Sequence, residues 1–383
     1  MSEQPRILVV DDIPDNRDLL CRLLSRQGHA AEIAANGAEA LQRLAKSEFD
    51  CVLLDIMMPV MGGIETLTRL KADPALRHVP VIVVSAIDDL DNVVKCIELG
   101  AEDYLFKPVN KVLLNARVSA SLEKKRLRDR EQAYTLHVKH ELELGRQIQA
   151  DFLPESLPQP LGWEVAVSFA PAFEVAGDFY DAFMLGDNRL CFVIADVCGK
   201  GVGAALFMSL VRSLIRAYAE QAKGGEDEVL SAVTLTNSYL TQHHRLKKSY
   251  LFTTLLFGVL DTGTGKLHYV SAGHYPPFIL AANGAVWSLE LCGPALGILT
   301  DPNYVVKQAR VSPGDVLLAY TDGVTEAKNQ QEELFSKERL LAILKSCPHS
   351  AAAVLGKIEQ GLKEYICDTE PSDDITMMAI RRL

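Results

Sequence analysis

The chain runs Leu127-Arg128-Asp129-Arg130-Glu131-Gln132-Ala133-Tyr134, through Glu141-Leu142-Glu143-Leu144, to Gln147-Ile148-Gln149-Ala150-Asp151-Phe152-Leu153-Pro154. Charged and long-chain helix formers dominate this stretch, and neither Gly nor Pro occurs between Pro108 and Gly145. A long helix is therefore predicted, forming a connector over 122–160. Tyr134, Val138 and Leu142 step by four, and Leu144, Ile148 and Phe152 step by four on a neighbouring stripe. That drift fits a coiled coil with a stutter, or a helix passing from one partner to another, and parallel association of two copies as a homodimer is the expectation. Lys124, Lys125, Arg126, Arg128 and Arg130 alternate with Glu123, Asp129 and Glu131, so this cluster reads as a solvated helix face rather than a polyanion site.

On either side of the connector the texture changes to short Val/Ile/Leu runs broken by Gly, Pro and Asp, as in packed α/β units. A length of 383 residues suits two domains, 1–121 and 161–383, plus the connector. With 48% hydrophobic and 23% charged residues the composition is that of a globular protein. The net charge of -11 argues against nucleic acid and anionic membrane as partners. Apolar runs such as Leu251 to Leu260 are too short to span a bilayer, and no signal segment precedes Ile7. The eight cysteines form no C-x-x-C pair and read as reduced, predicting a cytoplasmic protein.

Before the connector, five apolar strands alternate with helices, which predicts a parallel sheet covered on both faces. Ligands of such sheets bind at the carboxyl ends of strands. There stand Asp11 and Asp12 after the first strand, Asp55 after the third, Ser85 after the fourth and Lys107 after the fifth. Asp12 and Asp55, with a backbone carbonyl near Met57, offer hard oxygen ligands suited to Mg2+. Asp55 is then a nucleophile forming an acyl phosphate, with Lys107 and the Ser85 hydroxyl on the phosphoryl oxygens. A single Asp in such a place is more simply a helix cap, as Asp88 or Asp89 is for the helix after the fourth strand. Acid pair, Asp, Ser and Lys-Pro at the ends of separate strands exceed that explanation.

Asp11-Asp12, Asp55-Ile56-Met57-Met58-Pro59 with Gly62-Gly63, Ser85-Ala86 and Lys107-Pro108 together resemble the receiver domain of two-component response regulators, with its flavodoxin-like five-stranded sheet. The resemblance implies phosphorylation of Asp55 by a histidine kinase, Mg2+ held by Asp11, Asp12, Asp55 and Met57, and a switch in which Ser85 and Tyr104 move together.

After Pro160 longer strands with hairpin turns appear, Asp261-Thr262-Gly263-Thr264-Gly265 being the strongest turn signal. Helical segments intervene, and a mostly antiparallel α+β domain is predicted, two packed sheets with helices outside. Four Asp-bearing loops carry its chemistry: Gly177-Asp178-Phe179-Tyr180-Asp181, Ala195-Asp196-Val197-Cys198-Gly199, Thr321-Asp322-Gly323 and Asp373-Asp374-Ile375-Thr376. Carboxylates without a His/Cys cluster favour Mg2+ or Mn2+ over Zn2+, and two such ions activate a water against a phosphoryl group. Alone, Thr321-Asp322-Gly323 would read as a turn. Gly199-Lys200-Gly201 lacks the spacing of a P-loop.

These loops, with Gln147-Ile148-Gln149, Phe152-Leu153-Pro154 and Ala272-Gly273-His274-Tyr275-Pro276-Pro277, resemble the metal-dependent serine/threonine phosphatases of the PPM superfamily, in their SpoIIE/RsbU-like bacterial branch. The resemblance implies two Mn2+ or Mg2+ ions held by Asp178, a bridging Asp196, the Val197 carbonyl, Asp322 and Asp373, the first acid of its doublet. No counterpart of the substrate-phosphate arginine of the eukaryotic enzymes is found. His274, between Gly273 and a Tyr-Pro-Pro turn, reads as structural rather than as a general acid. The implied substrate is a phosphorylated STAS-type anti-sigma-factor antagonist. The alternative is a non-catalytic sigma-factor-binding adaptor built on a PPM-like domain, and the filled carboxylate positions favour the enzyme.

Overall fold

The computed structural model describes residues 4–86, 90–222, 226–243, 251–345, 350–367, 369 and 371–383. Asp88 and Asp89, the predicted helix caps, lie outside the described residues. The chain forms two compact units, Met1–Val138 and Lys139–Leu383.

In the first unit β1 (Arg6–Val10), α1 (Pro14–Ser25), β2 (Ala30–Ala34), α2 (Gly37–Leu44), β3 (Cys51–Asp55), α3 (Gly63–Ala72), β4 (Val81–Ala86), α4 (Leu90–Glu98) and β5 (Asp103–Lys107) alternate before α5 (Lys111–Phe152). The strands pair in parallel in the order β2-β1-β3-β4-β5. Side chains alternate across each strand, so Leu8, Val10, Val52, Leu54, Val81 and Val83 share one core with Ala40, Leu67, Leu70 and Val93 from α2 to α4. Ile7, Val9, Leu53, Ile82 and Val84 face the other way, onto Leu20 and Leu24 of α1 and Leu114, Val118 and Leu122 of α5. The chain runs from β1 outward to β2 and returns on the far side of β1 as β3. The strand order thus reverses beside the carboxyl ends that carry Asp11, Asp12 and Asp55, where an open α/β sheet leaves a crevice.

Helix α5 begins inside this unit, and its basic cluster is not simply a solvated face. Lys124 and Arg128 both pair with Glu102, and Lys125 pairs with Asp50 at 3.4 Å and with Asp129 at 2.7 Å. Acids presented by the strand-leading loops of the receiver body take up cations that the helical pattern alone assigned to water.

In the second unit β6 (Trp163–Ala170), β7 (Phe179–Met184), β8 (Arg189–Val197), α6 (Val202–Gln221), α7 (Glu226–His243), β9 (Thr253–Asp261) and β10 (Lys266–Ala272) come first. Then follow β11 (Phe278–Leu280), β12 (Val286–Ser288), β13 (Lys307–Arg310), β14 (Val316–Tyr320), α8 (Asp322–Thr325), α9 (Ser336–Leu344), α10 (Ala351–Ile366) and β15 (Ile375–Arg382). Two antiparallel sheets result, β13-β10-β9-β8-β7 and β12-β11-β14-β15-β6. The predicted turn between β9 and β10 is closed by Asp261, whose Oδ1 accepts from Thr264 N at 2.7 Å. One core joins Phe192, Leu255, Phe257 and Tyr269 of the first sheet to Leu317, Ala319, Met378 and Ile380 of the second, and extends to Val211 and Ile215 of α6. On the outer face of the second sheet, Leu318, Tyr320 and Met377 pack against Val354, Ile358 and Leu362 of α10. Each such fully buried aliphatic contributes roughly 1.5–3 kcal/mol, enough to hold the sandwich between its helical layers.

Two local expectations change. Phe179-Tyr180-Asp181, expected in a loop, opens β7 and pairs with β8 from Phe179↔Ala195 onward. An Asp in a strand masked the signal; its interior charge is met by Arg212 at 2.8 Å and Arg216 at 3.2 Å, both from α6. Helix α6 is itself long and apolar enough to cross a membrane, which the run-length reading missed, yet Ala204, Met208, Val211, Ile215 and Ala219 on it are buried within the unit.

Candidate functional site

At the receiver's strand ends, ligand oxygens of Asp11, Asp12 and Asp55 lie within 4.8 Å of one another. Asp11 and Asp55 are buried, and Lys107 Nζ bridges them at 2.8 Å to Asp11 Oδ2 and 2.8 Å to Asp55 Oδ2. Asp11 is held by the Ile13 amide at 2.9 Å and by Asn16 at 3.1 Å. Burial raises the Asp55 carboxyl above its usual range, Lys107 pulls it back, and the neighbouring Asp11 charge pushes it up again. Burial alone would lower the Lys107 ammonium, but its hydrogen bonds to Asp11 and Asp55 hold it above its ordinary value. Gly63 is required here: a Cβ on it would stand 2.2 Å from the Asp55 carbonyl. The Met57 side chain is exposed, leaving its backbone carbonyl as the useful donor. Ser85 pairs with Phe106 and Val83 with Tyr104 in the β4–β5 register. The side chains of Ser85 and Tyr104 therefore lie on the same face of the sheet as diagonal neighbours.

In the second unit Asp178 leads into β7, Asp196 ends β8, Asp322 starts α8, and Asp373 precedes β15. Asp178 is fully interior, and its Oδ2 accepts from Thr321 Oγ1 at 2.7 Å and Thr376 Oγ1 at 2.6 Å. Burial and the Asp196 charge raise its carboxyl well above the usual range, against the pull of the two threonines. Asp196 is pushed up to about 7 by burial and then by Asp322, Asp373 and Asp374. Asp322 is pushed up to about 6 by burial, Asp373 and Glu326. The four acids thus sense one another, although among the described residues only the receiver triad converges within 4.8 Å.

The doublet divides its work. Asp374 is buried and accepts from the backbone of Ala172 at 2.8 Å, Gly177 at 2.8 Å and Asp178 at 3.3 Å. It is consumed in tying loops together, whereas Asp373 is partly exposed beside Lys200, at 3.2 Å. Glycines permit the closure. A Cβ on Gly177 would approach the Val197 carbonyl to 3.0 Å, and one on Gly323 would fall 1.9 Å from the Asp374 carbonyl. Gly323 lies within α8 rather than in a turn, so Asp322-Gly323 is a close-packing device and the turn reading fails.

This donor set is all oxygen: carboxylates plus the Val197 carbonyl, its side chain being buried. Buried and half-buried acids that raise one another's proton affinity suit hard divalent cations such as Mg2+ or Mn2+. The residues present fit that group in both units. His274 does not join them: it is buried, its Nδ1 is bonded to Thr254 Oγ1 at 2.9 Å, and burial pushes it down to about 3. A ring held neutral in the interior supplies no proton at ordinary pH.

Helix α5 reaches this site through a residue quoted in the sequence but given no role. Gln149 is buried; its Nε2 donates to the Ala176 carbonyl at 2.7 Å and its Oε1 accepts from Ala176 N at 2.9 Å. Ala176 lies two residues before Asp178. Ile148, on the predicted apolar stripe, is 61% exposed.

Residues 186–383 match the family model of stage II sporulation protein E (SpoIIE), and residues 7–119 match that of the response regulator receiver domain. Protein IcfG of Synechocystis sp. is 40% identical over 264 residues, covering 63% of this chain and 41% of its own. The chain therefore spans less than half of that relative. Phosphoserine phosphatase RsbU of Bacillus subtilis is 26% identical over 246 residues, 64% of this chain and 71% of its own. The SiaA-PP2C domain of Pseudomonas aeruginosa shares the fold, with a TM-score of 0.56 at 22% identity over 65% of this chain and 98% of its own.

Proposed function

The chain belongs to the SpoIIE family and carries a response regulator receiver domain at residues 7–119, and from that premise we propose a response regulator whose phosphorylation at Asp55 controls a metal-dependent protein phosphoserine/phosphothreonine phosphatase. The observation that carries the reading is the gathering of Asp178, Asp196, Asp322 and Asp373, from four separate segments, into one mutually repelling acidic cluster. In the proposed organisation residues 1–121 are the receiver, 122–160 the helical connector and 161–383 the phosphatase.

In the receiver, Asp55 attacks the phosphoryl group carried by a histidine kinase. The P–N bond breaks as the acyl phosphate forms, and Lys107 and Ser85 hold the phosphoryl oxygens. Asp11, Asp12, Asp55 and the Met57 carbonyl would hold Mg2+. In the phosphatase, Asp178, Asp196, Val197, Asp322 and Asp373 would hold two Mn2+ or Mg2+, which supply an activated water and neutralise phosphoryl charge. Asp196 would be the bridging ligand, a role supported by its electrostatic coupling both to Asp178 and to Asp322 and Asp373, and the Thr321 and Thr376 hydroxyls orient the Asp178 carboxylate.

The proposed substrate is a phosphorylated STAS-type anti-sigma-factor antagonist, met in the cytoplasm. Support comes from the likeness to RsbU, itself named a phosphoserine phosphatase. Exposed Leu127, Tyr134 and Leu136 on α5 support pairing of two copies through the connector. Regulation then travels along α5 to Gln149 and the loop that bears Asp178.

The test is phosphate release from a phosphoserine STAS-type protein with Mn2+, with and without receiver phosphorylation. Asp196→Asn is expected to abolish release, and Asp55→Asn to abolish its dependence on receiver phosphorylation. Wild-type protein inert with both Mn2+ and Mg2+ would instead favour the sigma-factor-binding adaptor.

A further inference from the structure

One basic side chain at the acidic cluster has no part in holding the metal. Lys200 sits between Gly199 and Gly201, whose φ values of 103° and 76° lie in the left-handed region. Its Nζ stands 3.2 Å from Asp373 Oδ2, donates to the Ser372 carbonyl, and lies 5.3 Å from the centre of the Phe173 ring. Among the described residues it is the one basic side chain ion-paired with Asp178, Asp196, Asp322 or Asp373. The Lys200 side chain is 48% exposed and Phe173 47%, so both face whatever approaches the acids from solvent. An exposed ion pair contributes little to folding, and stability does not account for a lysine in this place.

The chemistry of the reaction does. A phosphomonoester brings two negative charges toward four carboxylates, and each of its oxygens needs a positive partner. Lysine serves as a compact point charge on a flexible stem, able to swing over the distance of one bond contact without moving the backbone. We propose that Lys200 is the side chain that binds the phosphoryl group of the phosphoprotein, donating from its ammonium to a phosphoryl oxygen beside Asp373. The Phe173 face flanks the path that the ammonium takes. This inference rests on the phosphatase reading above. It assigns substrate-phosphate recognition to a lysine on the loop that follows Asp196, where the sequence offered no arginine for the task.

The probe is inorganic phosphate. It is titrated calorimetrically into the Mn2+-loaded full chain for wild type, Lys200→Ala and Lys200→Arg, alongside separate Mn2+ titrations and thermal melts. Loss of one charged hydrogen bond predicts phosphate binding weakened roughly tenfold or more in Lys200→Ala. Lys200→Arg is expected to retain most of it, and Mn2+ affinity and melting to stay as in wild type. With p-nitrophenyl phosphate as substrate, KM should rise with the phosphate Kd. Unchanged phosphate affinity in Lys200→Ala overturns the proposal. So does a loss matched by an equal loss of Mn2+ affinity, which would make Lys200 a tether for the Asp373 loop. If wild type and Lys200→Ala turn over the phosphoprotein identically, the phosphatase reading stands and only the role of Lys200 falls. If wild type releases no phosphate at all, the phosphatase reading itself falls.

Discussion

Replacing Gln149 by Ala tests whether α5 holds the loop that carries Asp178. The side chain makes two hydrogen bonds to Ala176, at 2.7 Å to its carbonyl and 2.9 Å from its amide, and Ala176 is only 1% exposed. Truncation leaves a donor and an acceptor of one residue unpaired and shielded from water. Each orphaned buried group costs about 1–3 kcal/mol, so the two together cost about 2–6 kcal/mol before the loop relaxes. Relaxation is limited, because Gly177 N is bonded to Asp374 and Asp178 is clamped by Thr321 and Thr376. Relief must therefore come partly from moving Asp178. Metal sites lose roughly 10–100-fold in affinity or activity when an outer partner is removed, and a shift of that order is expected in the Mn2+ concentration that half-saturates phosphate release. The assay is a Mn2+ titration of release from a phosphoserine protein. Gln149→Glu is isosteric but sets a carboxylate against the Ala176 carbonyl, so its defect should match the alanine variant at high pH and lessen as the introduced carboxyl protonates. Ile148→Ala, on the exposed face, should behave as wild type. Gln149→Ala with wild-type Mn2+ dependence and an intact response to receiver phosphorylation would refute the reasoning.

Thr376→Val removes a 2.6 Å donor from Asp178 and should raise the Mn2+ requirement roughly 10–100-fold, read by the same titration, with Thr321→Val giving a comparable change. His274 is held neutral, pushed down to about 3 by burial, so its folded value lies below the ordinary 6.5. The unfolded chain then takes the proton first, and stability present above about 6.5 is lost as pH falls toward 3, by at most about 1.4 kcal/mol per pH unit. Urea melts of wild type and His274→Gln across that window should show the variant with the shallower slope; equal slopes would remove His274 as the cause. Tyr134 and Leu136 are exposed at 70% and 69%. Replacing both with Glu should turn a dimer into a monomer by light scattering while leaving thermal melting unchanged, and a wild-type chain that is monomeric at every concentration would sink pairing through the connector.

Much of the receiver was legible because its chemistry sits where β/α alternation ends each strand. Asp11, Asp12, Asp55, Ser85 and Lys107 are all strand-terminal, and spacing alone assigns them to one rim. The second unit was harder, since its acids come from segments as far apart as Asp178 and Asp373. The strand Phe179–Met184 was hidden by Asp181, whose partners Arg212 and Arg216 lie on a helix that follows it in the chain. Periodicity was also blind to the α5 position buried in the second unit. It counts apolar residues, and so selected Leu144, Ile148 and Phe152. The buried position is Gln149, which reaches Ala176 through an amide rather than a hydrocarbon. A polar contact 27 residues away leaves no hydrophobic rhythm. The pairing of Lys124, Lys125 and Arg128 with Glu102 and Asp50 was missed for a related reason, because charge pattern along one helix does not disclose acids on another element.

Both sites use glycine in the same way, and this bears on why acids so costly to assemble are assembled at all. A Cβ on Gly63 would collide with the Asp55 carbonyl at 2.2 Å, and one on Gly323 with the Asp374 carbonyl at 1.9 Å. In each unit the missing side chain lets a neighbouring loop close over an acidic strand end. Closure buries the carboxylates and brings them near one another, which raises Asp55, Asp178, Asp196 and Asp322 above the usual carboxylate range. Those shifts weaken folding, since the same acids ionise freely in an unfolded chain. The receiver offsets part of the cost with its own cation, Lys107. The second unit offers Asp373 one half-exposed lysine and gives Asp178 only hydroxyl donors. The larger uncompensated charge is therefore in the second unit, whose acids gain the most from a divalent cation.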